Sequence, residues 1–145
     1  MRYLLDVNVL IALLDLRHPA HRLTHAWYGE QTGGTAVCPL VENGAARIMS
    51  STAYAQDQAL LRPAALLAQI ARMKQNASDM VFWPDAISLA DNTVFDHSKI
   101  HGPRQLTDVY LLGLAVSQSA GLVTLDRNIP LASVRGASKA QLLVL

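Results

Sequence analysis

Along the chain, brief unbroken apolar runs alternate with longer apolar stripes of helical period. Residues 3–5 (YLL) are an apolar run ending at Asp6, too short for a helix and lacking the alternation of a half-exposed strand. Such a run reads as a strand buried on both faces, as in a parallel sheet. Residues 7–16 then read as a helix stopped by Arg17, His18 and Pro19, since a proline pushes the residue before it out of the helical region. Residues 20–31 give a second helix, with Leu23, Ala26 and Trp27 on one face and Gly33 and Gly34 as its stop.

Residues 35–38 make a second strand, and Pro39 suits the first turn of a helix running to about Ser50. The small, polar stretch 51–58 reads as a loop. Pro63 opens a helix ending near Asn76, in which Leu66, Leu67, Ile70 and Met73 lie opposite Gln69, Arg72 and Gln75. Residues 80–83 form a third strand closed by Pro84, 85–91 a short helix, and 93–103, polar and ending in Gly-Pro, an irregular segment. Thr107 or a near neighbour caps a long helix to Ala120; Gly121 ends it. Residues 122–125 are a strand running into Asp126, and 142–145 a last one.

This alternation predicts an α/β fold: one domain over residues 1–145, with a mostly parallel central sheet flanked by helices. No Pro-, Gly- or Ser-rich linker and no internal repeat divides it. In such sheets ligands bind outside the carboxyl ends of the strands, where Asp6 and Asp126 both fall.

Composition narrows the class. A chain of 145 residues with 51% apolar and 16% charged residues is a packed globule, not a disordered segment. The apolar stretch 7–14 is too short to span a bilayer and contains Asn8, and 109–125 is interrupted by Ser117, Gln118, Ser119 and Gly121. No membrane partner is expected. Cys38 has no second cysteine to pair with, which fits a reducing, cytoplasmic setting, and it reads as a small buried hydrophobe.

Two further carboxylates, Glu42 in PLVENGAAR and Asp108 in QLTDVYLL, sit within about a turn of helix starts and in apolar surroundings. Asp6, Glu42, Asp108 and Asp126 could therefore meet at one edge of the sheet. Grouped carboxylates repel and raise one another's pKa unless cations neutralise them. Mg²⁺ or Mn²⁺, hard ions that take oxygen ligands and leave coordination for a phosphate, suit such a group, and the matching chemistry is phosphodiester hydrolysis. If four of the 11 acids gather there, the other seven face 12 Lys and Arg, leaving a basic remainder compatible with a polyanion.

The set LLDVNVLIAL, Glu42 in VENGAAR, LTDVYLLGLAV and LVTLD closely resembles PIN-domain ribonucleases, especially the VapC-type toxins of bacterial toxin–antitoxin pairs, over nearly the whole chain. The resemblance implies a PIN-like fold and a metal-dependent endoribonuclease using Mg²⁺ or Mn²⁺. It implies that Asp6, Glu42, Asp108 and Asp126 form an acidic quartet, with Asp6 and Asp108 ligating metal directly and Asn8 shaping the site. Asp126, followed by Arg127 and Asn128, is either a ligand or a group that positions water. RNA as substrate, a cognate antitoxin protein that blocks the acidic groove, and a homodimer are implied as well.

Plainer readings stand beside these. Asp6 could cap a helix, Glu42 and Asp108 could be solvated first-turn acids, and Asp126 could open a turn. His18, His21 and His25 fall at i, i+3 and i+7, so His21 and His25 could share a helical face and bind zinc, but with no nearby Cys and no H-E-x-x-H a polar helix face is the better account. For RNA contact, Arg47, Lys99, His101, Arg104 and Arg127 lie near the acids in sequence. The apolar faces of the first two helices, with Tyr110, Leu111 and Leu112, could exceed one core and cover a dimer interface. As to function, the alternatives are a phosphatase using Asp6 as nucleophile, which Asn8 disfavours where a second acid is needed, and a non-catalytic PIN-like module binding RNA or protein.

Overall fold

A computed structural model describes residues 1–55, 61–77 and 79–145. The chain begins β1 (Tyr3–Leu5), α1 (Val7–Leu14), α2 (His21–Gly29), β2 (Thr35–Val37) and α3 (Pro39–Met49). It continues with α4 (Thr52–Ala55), α5 (Pro63–Asn76), β3 (Met80–Phe82), α6 (Leu106–Ser117), β4 (Gly121–Thr124) and β5 (Leu142–Val144). The five strands form one sheet in the order β3-β2-β1-β4-β5, every neighbouring pair parallel. In register, Leu4 lies opposite Ala36 on one side and Leu122 on the other.

Parallel strands need crossovers, and these supply the helices that bury the sheet. Leu4, Leu5, Ala36, Val37, Leu122 and Val123 are wholly buried, covered by Val9 and Leu10 of α1, Val41 and Ala45 of α3, and Leu111, Leu112 and Leu114 of α6. Tyr110, Leu111 and Leu112 thus belong to the core, not to a surplus that a second copy must cover. β1 is central: the chain builds outward to β2 and β3 on one side, then crosses to β4 and β5 on the other. The crevice of such a sheet opens where that order reverses, at the carboxyl ends of β1 and β4.

Four boundaries differ from the sequence reading for local reasons. Residues 85–91 form turns, not a helix, closed by a short-range bond from the Asp91 amide to the Ser88 carbonyl. Where a loop was expected, Thr52–Ala55 is one helical turn, because the Ser51 hydroxyl accepts the Tyr54 amide as an N-cap; residues 56–58 of that stretch lie outside the described residues. The stop after α6 is Ser119, at φ 54°, with the Ala120 amide reaching back to the Ala115 carbonyl. Gly121 instead starts β4, where a Cβ would come within 2.6 Å of the Tyr3 ring. Thr107 lies inside the first turn of α6, which follows a tight turn over Pro103–Gln105 and has no side-chain cap.

Candidate active site

The crevice is built from the end of β1 outward. The Asp6 amide donates to the Val123 carbonyl, continuing the ladder with β4, and the chain then turns directly into α1. Asp6 caps that helix: its Oδ1 accepts the Val7 amide at 2.6 Å, while Oδ2 accepts the Thr124 hydroxyl at 2.8 Å. The residue is only 1% exposed. Burial raises its pKa, the two hydrogen bonds counter that, and the nearby Asp126 charge adds to it. Capping and membership of the crevice are therefore compatible roles for one carboxylate.

Asp108 projects from the first turn of α6, half-buried, and accepts no hydrogen bond among the described residues. Its pKa is raised to about 7, first by burial and then by Asp6 and Asp126. Asp126 follows β4. Its amide donates to the Thr124 hydroxyl at 3.0 Å, and its Oδ1 accepts the backbone and side-chain N–H groups of Asn128, at 2.8 and 3.0 Å. One hydroxyl, Thr124, thus donates to Asp6 and accepts from Asp126, holding two of the acidic residues in register.

Asp6, Asn8, Asn43, Arg47, Thr107 and Asp108 line one cleft, floored by Leu40 and Gly44. At Gly44 a Cβ would meet Val7 Cγ2 at 2.9 Å, so the missing side chain lets α3 close on the start of α1. Arg47, Arg104 and Arg127 are exposed, and among the described residues none of their side chains makes a hydrogen bond or ion pair. Lys99 and His101 are also exposed, in the segment leading to α6.

Glu42 is not among the residues that line this cleft. Its Oε1 accepts a hydrogen bond from Lys74 Nζ of α5 at 2.7 Å, and the same ammonium lies 4.5 Å from the centre of the Phe82 ring. Helical periodicity explains this. Leu40, Asn43, Gly44 and Arg47 share one face by their spacing of three and four, and Glu42 falls on the other. The residue that α3 offers the cleft beside Arg47 is Asn43, which the sequence reading passed over; the i, i+4 relation to Arg47 was the signal for it. Thr107 and Thr124 carried no comparable signal.

Among the described residues, no three of His, Cys, Asp and Glu come together closely enough to enclose a metal ion. His18 and His21 are engaged with backbone: His18 Nδ1 accepts the Ala20 amide at 3.1 Å, and His21 Nδ1 lies 2.7 Å from the Ala12 carbonyl. Cys38 is fully buried, and burial pushes its thiol up to about 12, far from a reactive thiolate.

A five-stranded parallel sheet, with carboxylates at the crevice where its strand order reverses, is a PIN-like α/β architecture. No family model matches the chain. Over a 146-residue alignment covering the whole of both proteins it is 40% identical to ribonuclease VapC44 of Mycobacterium tuberculosis. It is 36% identical over 127 residues to ribonuclease VapC39 of the same organism, covering 87% of this chain and 89% of the relative. Ribonuclease VapC29, again from that organism, is 34% identical over 129 residues, 89% of each. The chain belongs to the VapC ribonuclease family. Among the described residues, no helix is long and apolar enough to cross a membrane.

Proposed function

We propose that this protein is a metal-dependent endoribonuclease of the toxin–antitoxin kind, hydrolysing RNA phosphodiester bonds at the cleft between α1, α3 and the start of α6. One observation carries the reading. Asp108 is held half-buried against Asp6 and Asp126, with a pKa near 7 and no hydrogen-bond donor of its own among the described residues. A fold gains nothing by leaving like charges so poorly compensated, unless a cation completes the arrangement. The donor set suits Mg²⁺ or Mn²⁺, which need only one or two carboxylates and fill the rest of the shell with water and phosphate oxygens. When bound, such an ion polarises the phosphate and activates water.

Asp6 and Asp108 are the residues that would hold it. Asp6 is fixed by the Val7 amide and the Thr124 hydroxyl, and Asp108 has its oxygens unengaged. Asp126, tied to Asp6 through Thr124, orients water or completes the site. Asn8, Asn43 and Arg47 face the place a phosphate would occupy, and Arg104 and Arg127 extend the cationic rim along an RNA backbone. Glu42 acts as a positioning residue, pinning α3 to α5 through Lys74. An acidic cleft of this kind is also where a basic side chain of a cognate antitoxin would insert. A homodimer and a cytoplasmic location complete the proposal.

The diversion of Glu42 from the cleft favours a second reading, a PIN-like module that binds RNA or protein without cutting. Incubating the purified protein with RNA, with Mg²⁺ or Mn²⁺ and then with EDTA, decides between them. Cleavage that needs the ion and disappears in Asp6→Asn is the expected result. Cleavage at the wild-type rate in that variant would remove Asp6 from the chemistry, and calorimetry detecting no Mn²⁺ binding would favour the non-catalytic module.

A further inference from the structure

A second depression adjoins the acidic cleft and shares Leu40 and Thr107 with it as a dividing ridge. Its other walls are Ile87, Leu89 and Leu106, and its polar groups are Asp85 and Tyr110. Leu106 is 40% exposed at the head of α6, two residues from Asp108. Two features of this depression are unusual. The Asp85 carboxylate is exposed at its rim. Tyr110 is 9% exposed, its hydroxyl is buried, and it has no hydrogen-bond partner. The hydroxyl stands near the Asp85 carboxylate and the Ile87 amide.

A buried hydroxyl without a geometrically sound partner is costly, and with a carboxylate beside it makes a small polar recognition surface between aliphatic walls. That combination suits a flat heterocycle whose edge carries hydrogen-bond donors. Resting on the ribonuclease reading, we propose that this depression receives a guanine base of the RNA beside the phosphate in the acidic cleft, with Asp85 accepting from its N1–H and N2 amino groups. Among the four bases only guanine places two adjacent donors on its Watson–Crick edge, matching two carboxylate oxygens; adenine and cytosine offer one amino group, and uracil one imino group. Leu40, Ile87 and Leu106 hold the ring by its faces, and the Tyr110 hydroxyl gains a partner in Asp85 or in the base. Single-stranded RNA, with its bases free of pairing, can present that edge.

Mapping cut sites on a randomised RNA tests this. The wild type is expected to prefer guanine at one position next to the scissile bond. Asp85→Asn is expected to lose that preference, with cleavage of the best substrate falling roughly ten- to a hundred-fold, towards that of RNAs lacking guanine there. Inosine at the same position, which lacks the N2 amino group, is expected to slow the unmodified enzyme but not Asp85→Asn, so the test does not depend on a variant's folding. A cut-site pattern identical in wild type and Asp85→Asn, or inosine cleaved as fast as guanine, overturns the proposal.

Amide chemical shifts give a readout independent of cleavage. Guanosine 5′-monophosphate is expected to perturb residues around Asp85, Ile87 and Thr107 more than the other three nucleoside monophosphates do. Guanine-selective shifts without RNA cleavage would sink the ribonuclease reading and keep the pocket. RNA cleavage with equal response to all four nucleotides would sink the pocket and keep the ribonuclease.

Discussion

Glu42 and the pair Asp6 and Asp108 flank opposite faces of α3 and have been treated oppositely by the fold. On one face, Glu42 has a dedicated cation: Lys74 sits 2.7 Å away, itself steadied over Phe82. On the other, the Asp126 charge raises the proton affinity of Asp6, and Asp6 and Asp126 raise that of Asp108; the cleft that Asp6 and Asp108 line offers one cation among the described residues, the exposed Arg47. The difference separates a carboxylate used as a structural tie from carboxylates held ready for an external ion.

The largest effect should come from neutralising the uncompensated side. Asp108→Asn or Asp6→Asn is expected to lower RNA cleavage by about a hundred-fold or more, since a metal site stabilises the transition state by several kcal/mol. Steady-state cleavage and Mn²⁺ titration of the same samples would show activity and ion binding lost together. If Glu42→Gln caused an equal loss of Mn²⁺ binding, the contrast between the two faces would be wrong.

Next in size is the packing that brings them together. Gly44→Ala should force α3 away from Val7 and cost about 1–3 kcal/mol, read from urea unfolding. Cleavage should fall with it, because Asn43 and Arg47 move along with the helix.

The electrostatic cost itself has a sign that can be checked. The Asp108 carboxyl is raised from 3.8 to about 7 on folding. Below about pH 4 both folded and unfolded chains hold the proton, and there is no penalty. As pH rises through 4 to 7 the unfolded chain releases it while the folded one keeps it, so stability falls across that window and stays lowered above it. Asp108→Asn should remove this slope and be more stable than the wild type at pH 8, by about 1–2 kcal/mol once partial exposure is allowed for. Added Mg²⁺ should restore the wild type at pH 8 and leave the variant unmoved, as thermal melts at pH 5 and 8 would reveal.

The smallest effect belongs to the compensated side. The pair is partly exposed, 33% at Lys74 and 22% at Glu42, so Lys74→Met should cost no more than about 1 kcal/mol and leave Mn²⁺ affinity within two-fold.

Much of this was legible along the chain, for reasons that particular residues show. Leu4 and Leu5 run straight into Asp6, and Leu122 and Val123 lead through Thr124 towards Asp126. Unbroken apolar runs of this length suit strands of a parallel sheet, and a polar residue at their carboxyl ends falls at its rim. Pro39 and Pro63 mark the starts of α3 and α5 for an equally local reason. The misplaced stop at Gly121 is instructive: Ser119 turns the helix, and the glycine is needed because Tyr3, distant in sequence, lies over it. Residues 85–91 lacked helical hydrogen bonding that composition alone suggested they could form.

What the sequence determined by itself is whatever depends on neighbours a few residues away: the alternation of strands and helices, the parallel character of the sheet, and the placing of Asp6 and Asp126 at strand ends and Asp108 at a helix start. Only the tertiary structure decided which way each side chain turns and what meets it there. Glu42 was assigned to the acids by its position after a strand, yet the rotation of α3 about its axis sends it to Lys74 and delivers Asn43 to the cleft. Charge acts through space over a few ångströms, and the chain brings Asp6, Asp108 and Asp126 within that range only when β1, β4 and α6 have packed.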